Sequence, residues 1–175
     1  MTVGRVVPVL NIIKDRSTNM YRVLITDDEK IEREGIKFLL AQEEGEYEIH
    51  EAANGRQALN VLRSEEIDFL LTDIKMPHMD GLELASKVRE EYPNLPIVIF
   101  SGYSDFAFAQ EAMRYGVKDY VLKPVDPDTF HTTIGKVKAE LQSIRSKKQK
   151  EEKGKNFLLQ YFLQTYPVSY THLRA

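Results

Sequence analysis

Short apolar runs alternate with amphipathic segments over most of the 175-residue chain. Each run has the length of a strand, and the continuous apolar character of several runs is typical of parallel strands covered by helices on both faces. The predicted strands are residues 21–25, 47–52, 69–72, 97–100 and 120–122. Strands that alternate with helices in this way predict an α/β fold with a parallel sheet and right-handed crossovers.

The segments between the strands carry apolar residues at helical spacing and suitable residues at their ends. Asp80 and Asp126 are predicted N-caps, and Gly116 is predicted to end the fourth helix in a left-handed conformation. In the first helix, Ile31, Gly35, Phe38 and Leu39 are spaced to share one face. The last helix has an apolar seam of Phe130, Ile134, Val137, Leu141 and Ile144.

Polar residues follow the predicted strands at the points where those strands end, namely Asp27, Asp28, Asp73, Ser101 and Lys123. The carboxyl ends of parallel strands meet at one edge of a sheet, so we expect these side chains to lie together. Three converging carboxylates repel one another unless a cation or protons intervene, and an oxygen-only ligand set favours Mg²⁺.

This set of groups is suited to phosphoryl transfer. A carboxylate oxygen of Asp73 can attack phosphorus, while a metal ion and Lys123 offset the charge on the equatorial oxygens and Ser101 donates a hydrogen bond. Aspartyl phosphates are a known kind of covalent intermediate. The sequence therefore predicts a phosphoryl acceptor at the edge of the sheet.

Three separated segments resemble the motifs of response-regulator receiver domains: LITDDE at 24–29, LTDIKMPHMDG at 71–81 and DYVLKP at 119–124. Their order and spacing are similar to those of that family from about residue 20 to residue 145. The resemblance implies a flavodoxin-like, doubly wound parallel sheet with strand order 2-1-3-4-5 and five helices. It also implies a cytoplasmic signalling domain that is not an enzyme beyond phosphorylating and dephosphorylating itself.

The resemblance implies a role for each matched acidic position. Asp73 would be the phosphorylation site. Asp28, Asp73 and the backbone carbonyl of Lys75 would bind Mg²⁺ directly, whereas Asp27 would act through water.

The same resemblance implies a switch and its partners. Ser101 and Lys123 would contact the phosphoryl group, and Ser101 and Tyr120 would move together as the switch. The Lys123–Pro124 peptide bond would be cis. A sensor histidine kinase would be the phosphoryl donor, and the face formed by helix four, strand five and helix five would change its affinity for a partner such as a second receiver.

Motifs in the second half of the chain point to one branch of the family, and the expected domain bounds follow from them. SGYSDF at 101–106, AQEA at 109–112 and KNFLLQYFL at 155–163 resemble the branch of the family that carries a C-terminal AraC-type DNA-binding domain. We expect a receiver domain over 20–145 and the start of a helical linker over 146–167. Residues 1–19 are interpreted as a non-native or disordered extension, and VSYTHLRA at 168–175 as an adapter-derived or disordered tail. DNA would be contacted only through a domain absent from this chain.

Other functions fit the same residues less well. A phosphatase with an aspartyl intermediate typically has a second aspartate two residues after the nucleophile, where this chain has Lys75. A nucleotide or flavin binder lacks support because no Gly-rich loop follows the first strand. The basic run at 136–155 is interrupted by glutamates, which favours a solvated helix over a nucleic-acid surface.

Composition narrows the class of protein only a little further. The net charge is −3 and there is no cysteine, so neither a disulfide framework nor a thiolate metal site is available. His50 and His78 lack ligand partners at useful spacing, which argues against a zinc site. No apolar run approaches the roughly 20 residues needed to span a bilayer, so no membrane partner is expected.

Overall fold

The computed structural model describes residues 20–102, 104 and 106–165, which form a five-stranded parallel sheet with helices on both faces. The elements in chain order are β1 (Met20–Thr26), α1 (Lys30–Leu40), β2 (Glu46–Ala52), α2 (Gly55–Ser64), β3 (Phe69–Asp73), α3 (Gly81–Glu91), β4 (Ile97–Ser101), α4 (Phe106–Arg114), β5 (Asp119–Leu122) and α5 (Pro127–Thr165). The strand order is β2-β1-β3-β4-β5. The predicted fold class and strand order are therefore confirmed.

Two apolar clusters hold the sheet between its helices. Successive residues of β1 point to opposite faces, so Leu24 belongs to the cluster under α2 and α3, whereas Val23 and Ile25 belong to the cluster under α1 and α5. Phe100 of β4 stacks on Phe130 of α5 with ring centroids 5.9 Å apart. Burial of the strands on both faces explains their continuous apolar sequences.

The predicted apolar face of α1 is confirmed only at Leu39, which is half-buried against the cluster under α1 and α5. Ile31 and Phe38 are 73% and 69% exposed, while Ile36 and Leu40 are the buried residues of this helix. Apolar residues surround much of α1, so their spacing fits more than one face. The spacing of residues within the helix does not show which face meets the sheet.

The predicted helix ends are confirmed. The Asp80 carboxylate accepts hydrogen bonds from the backbone N–H groups of Leu82 and Glu83 at the start of α3, at 3.0 and 2.8 Å. The Asp126 carboxylate accepts one from Thr129 at 2.9 Å at the start of α5. Gly116 follows α4 with φ at +65°, the left-handed conformation that favours glycine.

Helix α5 has a buried first half and an exposed second half. Phe130, Ile134, Val137 and Leu141 are buried against the sheet, and Ile144 is half-buried. From residue 146 to residue 165 every residue is exposed. The domain boundaries after residues 145 and 167 stay predictions, and the segments 1–19 and 168–175 lie outside the described residues.

Candidate functional site

Four strands deliver polar side chains to the carboxyl edge of the sheet. Asp27 and Asp28 follow β1, Asp73 ends β3, Ser101 ends β4 and Lys123 follows β5. One carboxylate oxygen from each of the three aspartates lies within 4.8 Å of the others. The structure thus brings together the three acidic residues that the sequence predicted to be neighbours.

Asp27 is the most buried member of this cluster, with 2% of its surface exposed. Its Oδ1 accepts a hydrogen bond from the backbone N–H of Glu29 at 2.9 Å, and its Oδ2 accepts one from the Lys123 ammonium at 2.8 Å. The Arg33 guanidinium donates to the Asp27 backbone carbonyl at 2.7 Å and so holds the turn after β1. Both carboxylate oxygens of Asp27 are therefore already engaged.

Asp73 lies at the centre of the edge, with its side chain 11% exposed. Its Oδ2 accepts a hydrogen bond from the backbone N–H of Lys75 at 3.1 Å, and its Oδ1 lies 3.4 Å from the Lys123 ammonium. Burial raises the pKa of the Asp73 carboxyl, and the nearby Asp27 charge raises it further, although Lys123 acts in the opposite direction. Burial of the carboxyl together with the Asp27 charge therefore outweighs the attraction of Lys123.

Lys123 is shared among three carboxylates. Its ammonium lies 2.8 Å from Asp27, 3.4 Å from Asp73 and 3.4 Å from Glu32 of α1. Burial by itself lowers the pKa of Lys123, but the hydrogen bond with Asp27 and the charges of its acidic neighbours outweigh burial and raise it. The backbone N–H of Lys123 donates to the Ser101 carbonyl at 2.8 Å, and the Lys123–Pro124 peptide bond is cis.

The cluster fits a hard divalent cation. Its donor atoms are all oxygens, and Asp28 is exposed at the mouth of a cleft of about 820 Å³. Mg²⁺ takes oxygen ligands and keeps several waters, which suits an open cleft with few protein ligands. A cation here would also oppose the burial and the Asp27 charge that raise the pKa of Asp73.

The two residues predicted to form a switch lie on the neighbouring strands β4 and β5. Ser101 is fully buried, whereas Tyr120 on β5 is half-buried and packs against the apolar cluster that includes Ala112 of α4. In the register of the sheet, Ile99 pairs with Tyr120, two residues before Ser101 pairs with Leu122. Their roles in switching stay a prediction.

Two residues of this edge escaped the sequence reasoning. A Cβ atom on Gly81 would overlap the Asp73 carbonyl oxygen, so only glycine fits where α3 begins. Gly81 also donates a backbone hydrogen bond to the Ile74 carbonyl at 2.7 Å. Glu32 is the second missed residue. Its only sign in the sequence is a charged side chain four positions before Ile36, which is buried.

Comparison with known proteins identifies the family of this chain. The family model described as the response regulator receiver domain matches residues 23–135. The chain belongs to this family, which is a family of signalling domains. Within the described part of the chain, no helix is both long and apolar enough to span a bilayer.

Similar proteins include whole regulators and isolated receiver domains. The chain is 38% identical over 132 residues to the uncharacterized transcriptional regulatory protein YesN of Bacillus subtilis, and the match covers 74% of this chain and 36% of YesN. It is 34% identical to the regulatory protein AtoC of Escherichia coli, with 73% of this chain and 27% of AtoC covered. The chain spans between a quarter and about half of the length of the curated relatives it matches.

Solved receiver domains have the same fold. The receiver domain of the response regulator AraT from Geobacillus stearothermophilus is 40% identical with a TM-score of 0.64, and the match covers 71% of this chain and 98% of that domain. A receiver domain from Clostridium thermocellum is 26% identical with a TM-score of 0.65, at the same coverage. Both matches cover almost the whole of the solved domain, so the similarity extends over a complete receiver fold.

Proposed function

We propose that this chain is a phosphorylation-controlled receiver in which Asp73 accepts a phosphoryl group from a sensor histidine kinase. The observation that carries the proposal is the meeting of Asp73 with Asp27, Asp28 and Lys123 at the carboxyl edge of the sheet. Membership of the receiver family supports the same assignment.

The chain's own residues act by position and charge. An oxygen of Asp73 attacks the phosphorus of the phosphorylated histidine of the kinase. The new P–O bond forms as the P–N bond to that histidine breaks, and the imidazole nitrogen keeps the electron pair. Lys123, already 3.4 Å from Asp73, offsets negative charge on the phosphoryl oxygens. The buried Ser101 hydroxyl lies at the next strand end and is assigned a hydrogen bond to a phosphoryl oxygen.

Asp28, Asp73 and the backbone carbonyl of Lys75 are assigned to hold Mg²⁺. Asp27 is assigned an indirect role through water, which agrees with the engagement of both its carboxylate oxygens by Glu29 and Lys123. Bound Mg²⁺ would neutralise charge that develops on the phosphoryl oxygens.

Phosphorylation would act as a switch through Ser101 and Tyr120. A new bond from Ser101 to the phosphoryl group would favour one pre-existing arrangement of the half-buried Tyr120. The surface nearby, formed by α4, β5 and α5, exposes Phe106, Met113 and Leu122 and is assigned to partner binding, including a second receiver.

We also propose that the complete protein regulates transcription in the cytoplasm. The names of the relatives YesN and AtoC support a regulatory output. An AraC-type DNA-binding domain stays a prediction from the motifs near 101–112 and 155–163.

The test is phosphorylation from a small-molecule donor. The protein is incubated with acetyl phosphate and Mg²⁺, and intact-mass spectrometry is used to detect one added phosphoryl group. Asp73→Asn and removal of Mg²⁺ by a chelator are each expected to abolish the added mass. Asp128→Asn, which removes an exposed carboxylate in the first turn of α5, is the matched control and is expected to label normally. Undiminished labelling of Asp73→Asn would exclude Asp73 as the acceptor.

A phosphatase function lacks a supporting observation. Lys75 occupies the position where such an enzyme needs an acid, and its ammonium lies 4.6 Å from the centre of the Phe108 ring.

A further inference from the structure

Glu32 is the third carboxylate that contacts the Lys123 ammonium, at 3.4 Å. It belongs to the first turn of α1 and lines the same cleft as Asp28, Asp73 and Lys123. The Glu32 side chain is 43% exposed, whereas those of Asp27 and Asp73 are 3% and 11% exposed. Glu32 is therefore the partner of Lys123 that can most easily swing into solvent.

The contact between Glu32 and Lys123 affects how readily the Lys123 ammonium can bind a phosphoryl group. A lysine ammonium has three N–H donors and no acceptor. In this structure three carboxylates, those of Asp27, Asp73 and Glu32, surround the Lys123 ammonium. The Lys123 ammonium donates a hydrogen bond to Asp27 and is attracted by the charges of Asp73 and Glu32, so a phosphoryl group must compete with these carboxylates for it.

The three carboxylates differ in how readily they can be displaced. Asp27 is buried and closest to Lys123, at 2.8 Å, and its other oxygen is tied to the Glu29 backbone. Asp73 is the group that would carry the phosphoryl group itself. Displacement of Glu32 costs least because its carboxylate can be solvated again.

We propose that Glu32 is a positioning residue that competes with the phosphoryl group for the Lys123 ammonium and so weakens phosphoryl binding at Asp73. This inference rests on the proposed function of Asp73. Glu32 holds Lys123 while the acceptor is free and releases it when a phosphoryl group arrives. Loss of the Glu32 carboxylate removes one competitor for the Lys123 ammonium in advance, which favours the phosphorylated state.

The test measures binding of beryllofluoride, a tetrahedral phosphoryl analogue, to the protein in saturating Mg²⁺ by fluorine NMR or calorimetry. Glu32→Gln is expected to bind it about two- to five-fold more tightly than the wild type, the range for a partly exposed ion pair. The initial rate of phosphorylation from phosphoramidate is expected to rise in the same direction. Equal or weaker binding by Glu32→Gln would overturn the inference.

Two further variants separate contact with Lys123 from a general effect of charge. Glu29→Gln removes an exposed carboxylate that lines the same cleft and that, among the described residues, makes no ion pair with Lys123. We expect it to change binding less than Glu32→Gln does. Glu32→Asp keeps the charge but shortens the side chain by one methylene, so it is expected to behave like Glu32→Gln.

Wild-type binding by Glu32→Asp, or equal effects of Glu29→Gln and Glu32→Gln, would show that only the charge in the cleft matters and would overturn the inference. Failure of the wild type itself to bind beryllofluoride would instead overturn the proposed function. The two failures are therefore distinguishable in one set of titrations.

Discussion

The two edges of the sheet carry charged residues in opposite ways. At the amino edge, the Asp68 carboxylate before β3 accepts a hydrogen bond from the Arg22 backbone N–H at 2.8 Å. The guanidinium groups of Arg22 and Arg145 each lie 3.5 Å from the same carboxylate. Arg22 also pairs with Glu66, so two carboxylates there are met by two cations on neighbouring elements.

At the carboxyl edge the balance is reversed. One cation, Lys123, faces the carboxylates of Asp27, Asp73 and Glu32, with Asp28 close by. Burial and the Asp27 charge leave Asp73 with a raised pKa, so this edge is electrostatically unfavourable as it stands. The contrast indicates that the amino edge stabilises the fold, and it agrees with the proposal that the carboxyl edge binds a cation and a phosphoryl group.

The largest expected effect comes from the backbone that holds the carboxyl edge together. In Gly81→Ala the new Cβ would overlap the Asp73 carbonyl oxygen, and neither backbone segment can move without loss of the Gly81–Ile74 hydrogen bond. We expect a loss of roughly 3 kcal/mol or more in the free energy of unfolding, measured by urea denaturation. Phosphorylation from acetyl phosphate is expected to fall with it.

A glycine in open space gives the matched control. Gly35 in α1 has nothing within 4 Å of the point where an alanine methyl group would lie, so Gly35→Ala is expected to raise stability by about 0.5–1 kcal/mol. Equal stability of Gly81→Ala and the wild type would contradict the close approach of α3 to Asp73.

The second prediction concerns the amino edge, where the charges are balanced. Asp68→Ala removes the acceptor of the Arg22 backbone N–H and leaves Arg22 and Arg145 without their shared carboxylate. We expect a loss of about 1–2 kcal/mol in the free energy of unfolding, the cost of a partly buried donor without its partner. The extent of Asp73 phosphorylation is expected to stay unchanged. A large loss of phosphorylation in a folded Asp68→Ala protein would contradict the separation of the two edges.

Much of the fold and most of the candidate site could be predicted from local sequence. Apolar runs followed directly by polar residues locate the strand ends, and the parallel topology then brings Asp27, Asp28, Asp73 and Lys123 to one edge. Whether these residues have their predicted chemical roles still depends on the phosphorylation experiments.

The errors and omissions have a common physical cause. The exposed positions of Ile31 and Phe38, the contact between Glu32 and Lys123, and the close approach of Gly81 to Asp73 all depend on how separate elements dock. Periodicity within one helix does not report the rotation of that helix against the sheet. A glycine in a motif likewise does not show which backbone atom lies beside it.

The third prediction tests the imbalance at the carboxyl edge directly. Asp73→Asn removes a carboxylate charge whose burial, aided by the Asp27 charge, outweighs its attraction to Lys123, so without Mg²⁺ at neutral pH it is expected to be more stable than the wild type. The gain is on the order of 1 kcal/mol, the lower end of the cost of burying a polar group without full compensation. Addition of Mg²⁺ is expected to stabilise the wild type more than the variant. Urea denaturation with and without Mg²⁺ measures both effects, and a destabilised Asp73→Asn would contradict them.

The smallest expected effect is the pH dependence of the stability gain in Asp73→Asn. The pKa of Asp73 is raised in the folded state, so the folded protein binds a proton more readily than the unfolded chain does. The penalty for the charged Asp73 is therefore fully present above the folded pKa and disappears as the pH falls through it toward the ordinary value of 3.8. The amide in Asp73→Asn does not titrate, so the stability advantage of this variant is expected to shrink on acidification.

Comparison of the wild type with Asp73→Asn cancels the contributions of other titratable groups to the pH dependence of stability. Glu51, whose pKa is lowered by hydrogen bonds from Lys37 and Arg33, loses its contribution on acidification in both proteins alike. Urea midpoints for the wild type and Asp73→Asn, measured in chelator from neutral to acidic pH, isolate the contribution of position 73. An advantage that stays constant or grows as the pH falls would mean that Asp73 is not destabilised by its surroundings. The contrast between the two edges would then rest on geometry alone.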